Sequence, residues 1–203
     1  MMPRRTTLLV FAGLALVVAG AGLVWYSQIA RPVADRGGRN VPLPAFNLTG
    51  ARGPLTADDF AGHWTFLFLG YTHCPDVCPT SLSLLKRTKA AVTAAGAASP
   101  AVIFISVDPA RDTPAGLDAY VRAFDADFSS ATGTDDQLFP LVRALDAFYQ
   151  RDDQRGSAHY TVDHTADIYL IDPERRVRKR FPPPQDAMAL TRIYLAETKG
   201  KSP

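Results

Sequence analysis

Residues 64–79 read WTFLFLGYTHCPDVCP, and this stretch decides the fold. Residues 64–71 form a short, continuous apolar run, which is typical of a β-strand covered on both faces. Cys74 and Cys78, the only two cysteines of the chain, follow this strand directly. Residues 79–96 then predict a helix, because their apolar side chains recur at helical spacing. The sequence therefore places a cysteine pair between a buried strand and the start of a helix.

The rest of the chain alternates predicted strands and helices. Residues 101–107 (AVIFISV) indicate a second buried strand, after which Thr113 caps a helix that has Pro114 at its first position. The remaining predicted elements are a helix from about Asp135, with Leu138, Leu141, Leu145 and Phe148 facing inward, a strand over 166–171, a half-exposed edge strand over 177–181 and a final helix over 185–198. This order is typical of the α/β class. Together with the cysteine pair it predicts a thioredoxin-like fold with an insertion between the second strand and the late hairpin.

The N-terminal segment predicts one transmembrane helix. Residues 8–26 carry no charge and, at about 1.5 Å per residue, span roughly 28 Å, close to the hydrocarbon thickness of a bilayer. Arg4 and Arg5 precede the run, so the positive-inside rule leaves the N-terminus in the cytoplasm. A cleaved signal peptide is the alternative, since residues 19–21 (AGA) are small. The apolar run continues beyond them, which favours an anchor.

These features divide the chain into a membrane anchor at 1–28, a proline-containing linker at 29–44 and a globular domain at 45–203. The apolar run lies too near Met1 for a mitochondrial transit peptide, which favours a bacterial inner membrane. We expect a single-pass protein with its globular domain in the periplasm. Lysine plus arginine number 22 and aspartate plus glutamate 20, a net charge of +2 that argues against nucleic-acid binding.

The cysteine spacing allows two kinds of chemistry. Positions i and i+4 on a helix face the same way, so Cys74 and Cys78 could close a disulfide or bind one metal ion. A helix N-terminus favours the thiolate form that both roles require. Unreactive structural cysteines are a further interpretation, which the adjacent prolines and the loop-to-helix position disfavour.

A metal site needs further ligands, and the chain has four histidines. His63 and His159 lie in polar segments and are expected at the surface, while His73 adjoins the first cysteine and is expected to face away from it. His164 immediately precedes the third core strand, which in a thioredoxin-like fold starts beside the cysteines. It is the best third ligand, although its position fits a structural core histidine equally well.

Two thiolates and one imidazole form a soft donor set, which suits copper, above all Cu(I), better than magnesium or calcium. Zinc remains an alternative if water or a carboxylate supplies a fourth ligand. Asp76 and Asp163 are candidates to orient the ligands, and turn capping explains either aspartate equally well.

Three segments resemble the Sco/SenC family: GYTHCPDVCP at 70–79, FISVDPARDTP at 104–114 and YTVDHTADIYLIDP at 160–173. Members of this family are thioredoxin-like copper proteins that assist assembly of the copper A centre of cytochrome c oxidase. The resemblance implies that Cys74, Cys78 and His164 bind copper. It also implies that the copper A domain of oxidase subunit II is a partner, with other periplasmic copper or thiol proteins beside it.

Three functions compete on this basis. The first is a metallochaperone, rather than an enzyme, that delivers copper to the oxidase. The second is a thiol-disulfide oxidoreductase that reduces the copper-ligand cysteines of the oxidase subunit. A peroxidase is set aside, because Tyr71 stands where the related peroxiredoxins carry threonine. The longer cysteine spacing and the available His164 favour metal binding over redox exchange alone.

Overall fold

The computed structural model describes residues 20–21, 40–152 and 160–199. The strands are β1 (Val41–Pro42), β2 (Asn47–Gly50), β3 (Gly53–Thr56), β4 (Thr65–Gly70), β5 (Ala101–Ser106), β6 (Ser129–Thr132), β7 (Tyr149–Arg151), β8 (Val162–His164), β9 (Ile168–Ile171) and β10 (Arg176–Phe181). The helices are α1 (Val77–Ala94), α2 (Pro114–Arg122), α3 (Asp135–Ala144) and α4 (Ala187–Thr198), and a 3₁₀ turn covers Ala57–Phe60.

The strands form two sheets. The main sheet has the order β1-β10-β9-β4-β5-β6-β2-β3, and β7 and β8 form a separate two-stranded sheet. Strands β4, β5 and β6 run parallel, while β9 pairs antiparallel with β4 on one side and with β10 on the other. This arrangement is the predicted α/β order, with β6, α3, β7 and β8 inserted before the β9–β10 hairpin.

The centre of the molecule is β4. All six of its residues are buried, as expected of a strand with both faces covered. Its register with β5 runs from Thr65 opposite Ala101 to Gly70 opposite Ser106. The strand ends at Gly70, so the chain that leaves it carries the cysteines to the edge of the sheet where β5 also ends.

Two sequence predictions about the insertion and the hairpin are wrong. Phe148 was expected to face inward from α3, but the helix ends at Ala144 and the side chain is 59% exposed. The chain turns at Asp146, which has a positive φ. The Phe148 amide then donates to the Thr165 hydroxyl, and the Phe148 carbonyl oxygen accepts a hydrogen bond from the Thr165 amide. Strand β10 was expected at the sheet edge, but its first two residues pair with β1.

The N-terminal predictions fall mainly outside the described residues. Residues 1–19 and 22–39, which include most of the predicted anchor and linker, are not described, and Gly20 and Ala21 are helical. Among the described residues, no helix combines the length and the apolar character of a membrane span. The end of the predicted linker belongs to the folded domain, since Val41 pairs with Val177 and Leu43 is buried.

Candidate metal centre

Three potential metal ligands converge where β4, α1 and β8 meet. The sulfurs of Cys74 and Cys78 and a ring nitrogen of His164 all lie within 4.8 Å of one another. Cys78 is buried, whereas Cys74 and His164 are half-buried. These are the residues that the sequence analysis named. Within residues 40–152 and 160–199, no second group of three or more such side chains comes as close together.

The two cysteines reach the site from different local structures. The sequence analysis placed both on one helical face, but Cys74 lies in the loop before α1 and only Cys78 lies in the helix. Pro75 explains the difference, because a residue that precedes proline is disfavoured in helical conformation. The helix therefore starts at Val77, and the loop brings the sulfur of Cys74 over its N-terminus.

Gly70 makes room for the buried cysteine. A Cβ atom at this position would lie 2.7 Å from the sulfur of Cys78 and 2.7 Å from the ring of Phe104. Those distances are below van der Waals contact, so the last residue of β4 must lack a side chain for Cys78 to pack there. This role of Gly70 was not predicted from the sequence.

The electrostatics of the pair make Cys74 the thiolate. Its pKa is lowered to about 4, mainly because the Cys78 thiol donates a hydrogen bond to its sulfur, with further bonds from the backbone of Asp76 and Cys78 and from His164. The pKa of Cys78 is raised, because its thiol proton is held by Cys74 and because it is buried. The accessible cysteine is thus the ionised one, as expected at a helix N-terminus.

His164 presents one defined nitrogen to the cysteines. Its Nε2 lies 3.7 Å from the sulfur of Cys78, and its Nδ1 lies 3.1 Å from the carbonyl oxygen of Thr165. A carbonyl oxygen only accepts hydrogen bonds, so Nδ1 carries a proton and donates to Thr165. Nε2 is therefore the nitrogen that faces the sulfurs, where it would bind a metal. The imidazole packs edge-on against Tyr71 at 5.8 Å and against Phe68 at 6.1 Å between ring centroids.

The expected orienting aspartates do not hold the histidine. Its Nδ1 bonds to the Thr165 carbonyl, whereas Asp76 accepts a hydrogen bond from Thr80 at 3.3 Å and Asp163 is exposed. A backbone carbonyl fixes an imidazole as well as a carboxylate does. The pattern of side chains could not reveal it.

The other histidines lie outside the ligand cluster. The side chain of His73 is 54% exposed and contacts Thr72 at 3.0 Å, which agrees with the expectation that it faces away. His63 is exposed, and its Nδ1 lies 3.0 Å from the carbonyl oxygen of Ala61. His159 lies outside the described residues.

A buried carboxylate that the sequence analysis missed fixes the cysteine loop. Asp112 accepts hydrogen bonds from the backbone amide of Thr72 at 3.0 Å, from the Thr72 hydroxyl at 2.5 Å and from the Ser106 hydroxyl at 2.6 Å. It thereby ties the loop that leaves β4 to the end of β5. The available signal was an aspartate-rich segment, DPARD at 108–112, directly after a buried strand.

Comparison with known proteins places this geometry in a family. A family model described as SCO1/SenC matches residues 35–197. The mitochondrial protein SCO1 homolog 1 of Arabidopsis thaliana is 30% identical over an alignment of 191 positions that covers 87% of this chain and 57% of that protein. This chain therefore spans little more than half the length of that relative.

Two solved structures with copper bound resemble the chain closely. Arabidopsis thaliana ScoI is 30% identical with a TM-score of 0.73, and the match covers 78% of this chain and 98% of that one. Bradyrhizobium japonicum ScoI is 33% identical with a TM-score of 0.65, and the match covers 79% of this chain and 98% of that one. The thioredoxin-like α/β fold predicted from the sequence is confirmed, and the chain belongs to the SCO1/SenC family.

Proposed function

We propose that this protein binds one copper ion through Cys74, Cys78 and His164 and hands it on during assembly of the copper A centre of cytochrome c oxidase. The observation that carries the proposal is the convergence of two sulfurs and an imidazole nitrogen within 4.8 Å. The copper-bound structures of the two ScoI proteins support it, because those chains share this fold at 30% identity or more.

The donor set suits copper. Thiolates are soft ligands, and a site with two of them and one imidazole selects copper over the oxygen-seeking magnesium and calcium. Cu(I) accepts a coordination number of two or three, which these residues supply without water. The thiolate of Cys74 is already in the protonation state that a metal requires, whereas the Cys78 thiol would release its proton on binding. Nε2 of His164 faces the sulfurs.

The exposure of the ligands suits delivery. Cys78 is buried at the floor of the site, whereas Cys74 and His164 are half-buried at its rim. A partner that carries its own copper ligands can therefore replace the rim ligands first. We propose the copper A domain of oxidase subunit II as that partner, with other periplasmic copper or thiol proteins as further clients.

The proposed location follows from the N-terminal sequence. An anchor at 1–28 and a linker at 29–44 would hold the domain at 45–203 near the periplasmic face of a bacterial inner membrane, where the oxidase subunit also carries its copper domain. The apolar run at 8–26 supports this location. Alkaline washing of membranes tests it: an anchored protein stays with the membrane, and release of a shortened soluble form would favour signal-peptide cleavage.

Copper loading tests the binding proposal. The full chain is reduced under anaerobic conditions, loaded with copper and challenged with a competing chelator. We expect one copper ion per chain to resist the chelator. The Cys74→Ser and Cys78→Ser variants are treated in the same way. If the chelator removes copper from the wild-type chain as completely as it does from these variants, the proposal is contradicted.

A second function, thiol-disulfide exchange, is favoured by one observation. The half-buried Cys74 has a pKa lowered to about 4 by the Cys78 thiol, as in pairs that attack disulfides. The Cys74 thiolate would attack a partner disulfide and release one partner thiolate. Cys78, on losing its proton, would then attack the Cys74 sulfur and release the second partner thiol. The chain would be left with a Cys74–Cys78 disulfide, so a thiol reductant must restore it.

Cells that carry His164→Ala in place of the natural protein separate the two functions. A copper chaperone needs the imidazole, whereas exchange needs only the cysteines. We expect oxidase assembly to fail while thiol exchange with a small disulfide survives. Normal assembly combined with lost copper binding would reject the chaperone and leave the oxidoreductase.

A further inference from the structure

The strand that carries His164 lies outside the main sheet. β8 pairs with β7, and among the described residues it pairs with no strand of the main sheet. Backbone pairing with β7 alone does not fix the distance between His164 and the cysteines, which are carried by β4 and α1. Other contacts must hold β8 against the end of β5.

Arg111 makes contacts of this kind. It lies in the loop after β5 and its side chain is only 13% exposed. Its Nε donates to Asp108 at 2.5 Å, and a terminal nitrogen donates to the backbone carbonyl oxygen of Tyr160 at 2.8 Å. Its guanidinium also lies 3.6 Å from the centre of the Tyr160 ring. Arg111 therefore contacts both the backbone and the side chain of Tyr160, which lies just before β8.

Asp108 and two tyrosines complete the cluster around Arg111. The Tyr160 hydroxyl donates to Asp108 at 2.5 Å, and Asp108 is fully buried. The guanidinium lies 5.6 Å from the centre of the Tyr71 ring, which in turn packs edge-on against His164. The chain of contacts runs from the loop after β5 to Tyr160, just before the histidine strand, and to His164, the last residue of that strand.

We infer that Arg111 is a positioning residue that holds His164 at metal-binding distance from Cys74 and Cys78. This inference rests on the proposed copper function of the site. Arg111 does not itself contact the ligand cluster in this arrangement. Its planar guanidinium can donate to Asp108, donate to a carbonyl and stack on a ring at once, which neither lysine nor an apolar side chain can do.

The chain offers a matched control. Lys89 on α1 is also 13% exposed, donates to Asp125 at 3.0 Å and to Asp127 at 2.7 Å, and lies 5.9 Å from the centre of the Phe128 ring. It is a mostly buried cation with carboxylate and ring partners, about three helical turns from Cys78. Lys89→Met removes a comparable ion pair without touching β8.

The first readout needs no metal. Hydrogen exchange is measured on the metal-free full chain for the peptide that spans residues 160–165. We expect Arg111→Met to speed exchange there by about tenfold or more, because the strand loses its attachment. Lys89→Met should leave this peptide unchanged. Unchanged exchange in Arg111→Met would overturn the inference even if the wild-type chain bound no copper, so this readout separates the inference from the proposed function.

The second readout is the Cu(II) affinity, measured anaerobically against a chelator with thiols counted afterwards. We expect Arg111→Met to weaken binding by about 10- to 100-fold, as loss of an orienting partner usually does. In a His164→Ala background the same change should alter the affinity by no more than about twofold, because there is no imidazole left to position. An equal loss in both backgrounds would overturn the inference, since Arg111 would then act on the cysteines or on the fold. If Arg111→Met does not fold, Tyr160→Leu replaces it, since this change removes the stacked ring and the bond to Asp108. We expect the same faster exchange and weaker Cu(II) binding from Tyr160→Leu. Unchanged exchange, or an equal loss of affinity in the His164→Ala background, would again overturn the inference.

Discussion

The two halves of the candidate metal centre are built differently. The cysteine half belongs to the core: Gly70 ends the buried central strand, Cys78 lies in the first turn of α1, and Asp112 ties the intervening loop to β5. The histidine half is a three-residue strand outside the main sheet, held by the side chains of Arg111 and Tyr160. The cysteines are therefore placed by the fold itself, whereas the imidazole is placed by a small polar cluster that joins segments distant in sequence.

Loss of either cysteine should have the largest effect. In Cys74→Ser or Cys78→Ser the cysteine half loses a thiolate. The remaining sulfur and imidazole cannot hold copper against a chelator, and a single cysteine cannot complete thiol exchange. Both activities should be abolished, as measured by copper retained per chain and by reduction of a small disulfide. If either variant retains as much copper as the wild type, that cysteine is not a copper ligand and the assignment is contradicted.

His164→Ala should have the next largest effect. Removal of the imidazole leaves two sulfurs, which suit Cu(I) better than Cu(II), so Cu(II) affinity should fall by at least about 100-fold. Chelator competition measures the loss, and thiol exchange should persist because the cysteine half is intact. His73→Ala is the matched control, since its half-exposed ring lies next to the cysteine loop but outside the cluster. Equal losses in the two variants would contradict the assignment of the third ligand.

Gly70→Ala should destabilise the cysteine half by overpacking it. The added methyl group would lie 2.7 Å from the Cys78 sulfur and 2.7 Å from the Phe104 ring, both buried. We expect a loss of about 1–3 kcal/mol in the free energy of unfolding, measured by denaturant titration, because overpacked cores rearrange poorly.

Gly116→Ala is the control for this change. An added Cβ there meets only the hydroxyl of Thr113, at 3.1 Å, which caps α2 by accepting a hydrogen bond from the Gly116 amide on the exposed side of the helix. Its stability should change little or rise slightly, since alanine favours a helix. A Gly70→Ala variant as stable as Gly116→Ala would show that the cysteine half adapts more freely than its burial indicates.

The smallest expected effect is kinetic, and it distinguishes the two cysteines. Because the pKa of Cys74 is lowered to about 4, this residue is a thiolate above that pH and should be alkylated at nearly constant rate between about pH 5 and 8. An ordinary thiol, with a pKa of about 8.5, would react about tenfold faster per pH unit over the same range. The raised pKa and burial of Cys78 should keep it unreactive until the protein unfolds. Mass spectrometry of alkylated peptides measures both rates, and a steep rise for Cys74 would contradict its thiolate character.

The same division explains what the sequence could predict. The strands around β4 were predictable because continuous apolar runs report burial on both faces, and His164 was identified because it precedes β9 in a thioredoxin-like fold. The short strands β1, β7 and β8 were not predictable, since two or three residues carry no periodicity and their pairing depends on distant partners. The exposed Phe148 was misassigned because the end of α3 is set by a turn at Asp146 rather than by apolar spacing.

The polar attachments were the least predictable part. Asp112 and Arg111 lie in a segment that reads as a loop, and only the folded chain shows that one fixes the cysteine loop and the other the histidine strand. Likewise, the bond from His164 to a backbone carbonyl leaves no side-chain pattern. The contacts of Asp112 with Thr72 and of Arg111 with Tyr160 join residues 40 and 49 positions apart, whereas local spacing reports only nearby neighbours.

X-ray absorption at the copper edge tests the central claim most directly, since it counts the ligands of the bound ion. On the copper-loaded full chain we predict two sulfur scatterers and one imidazole nitrogen, with the nitrogen lost in His164→Ala and both sulfurs kept. A spectrum without two sulfurs, or one in which the imidazole persists in His164→Ala, would contradict the claim that Cys74, Cys78 and His164 together bind the metal.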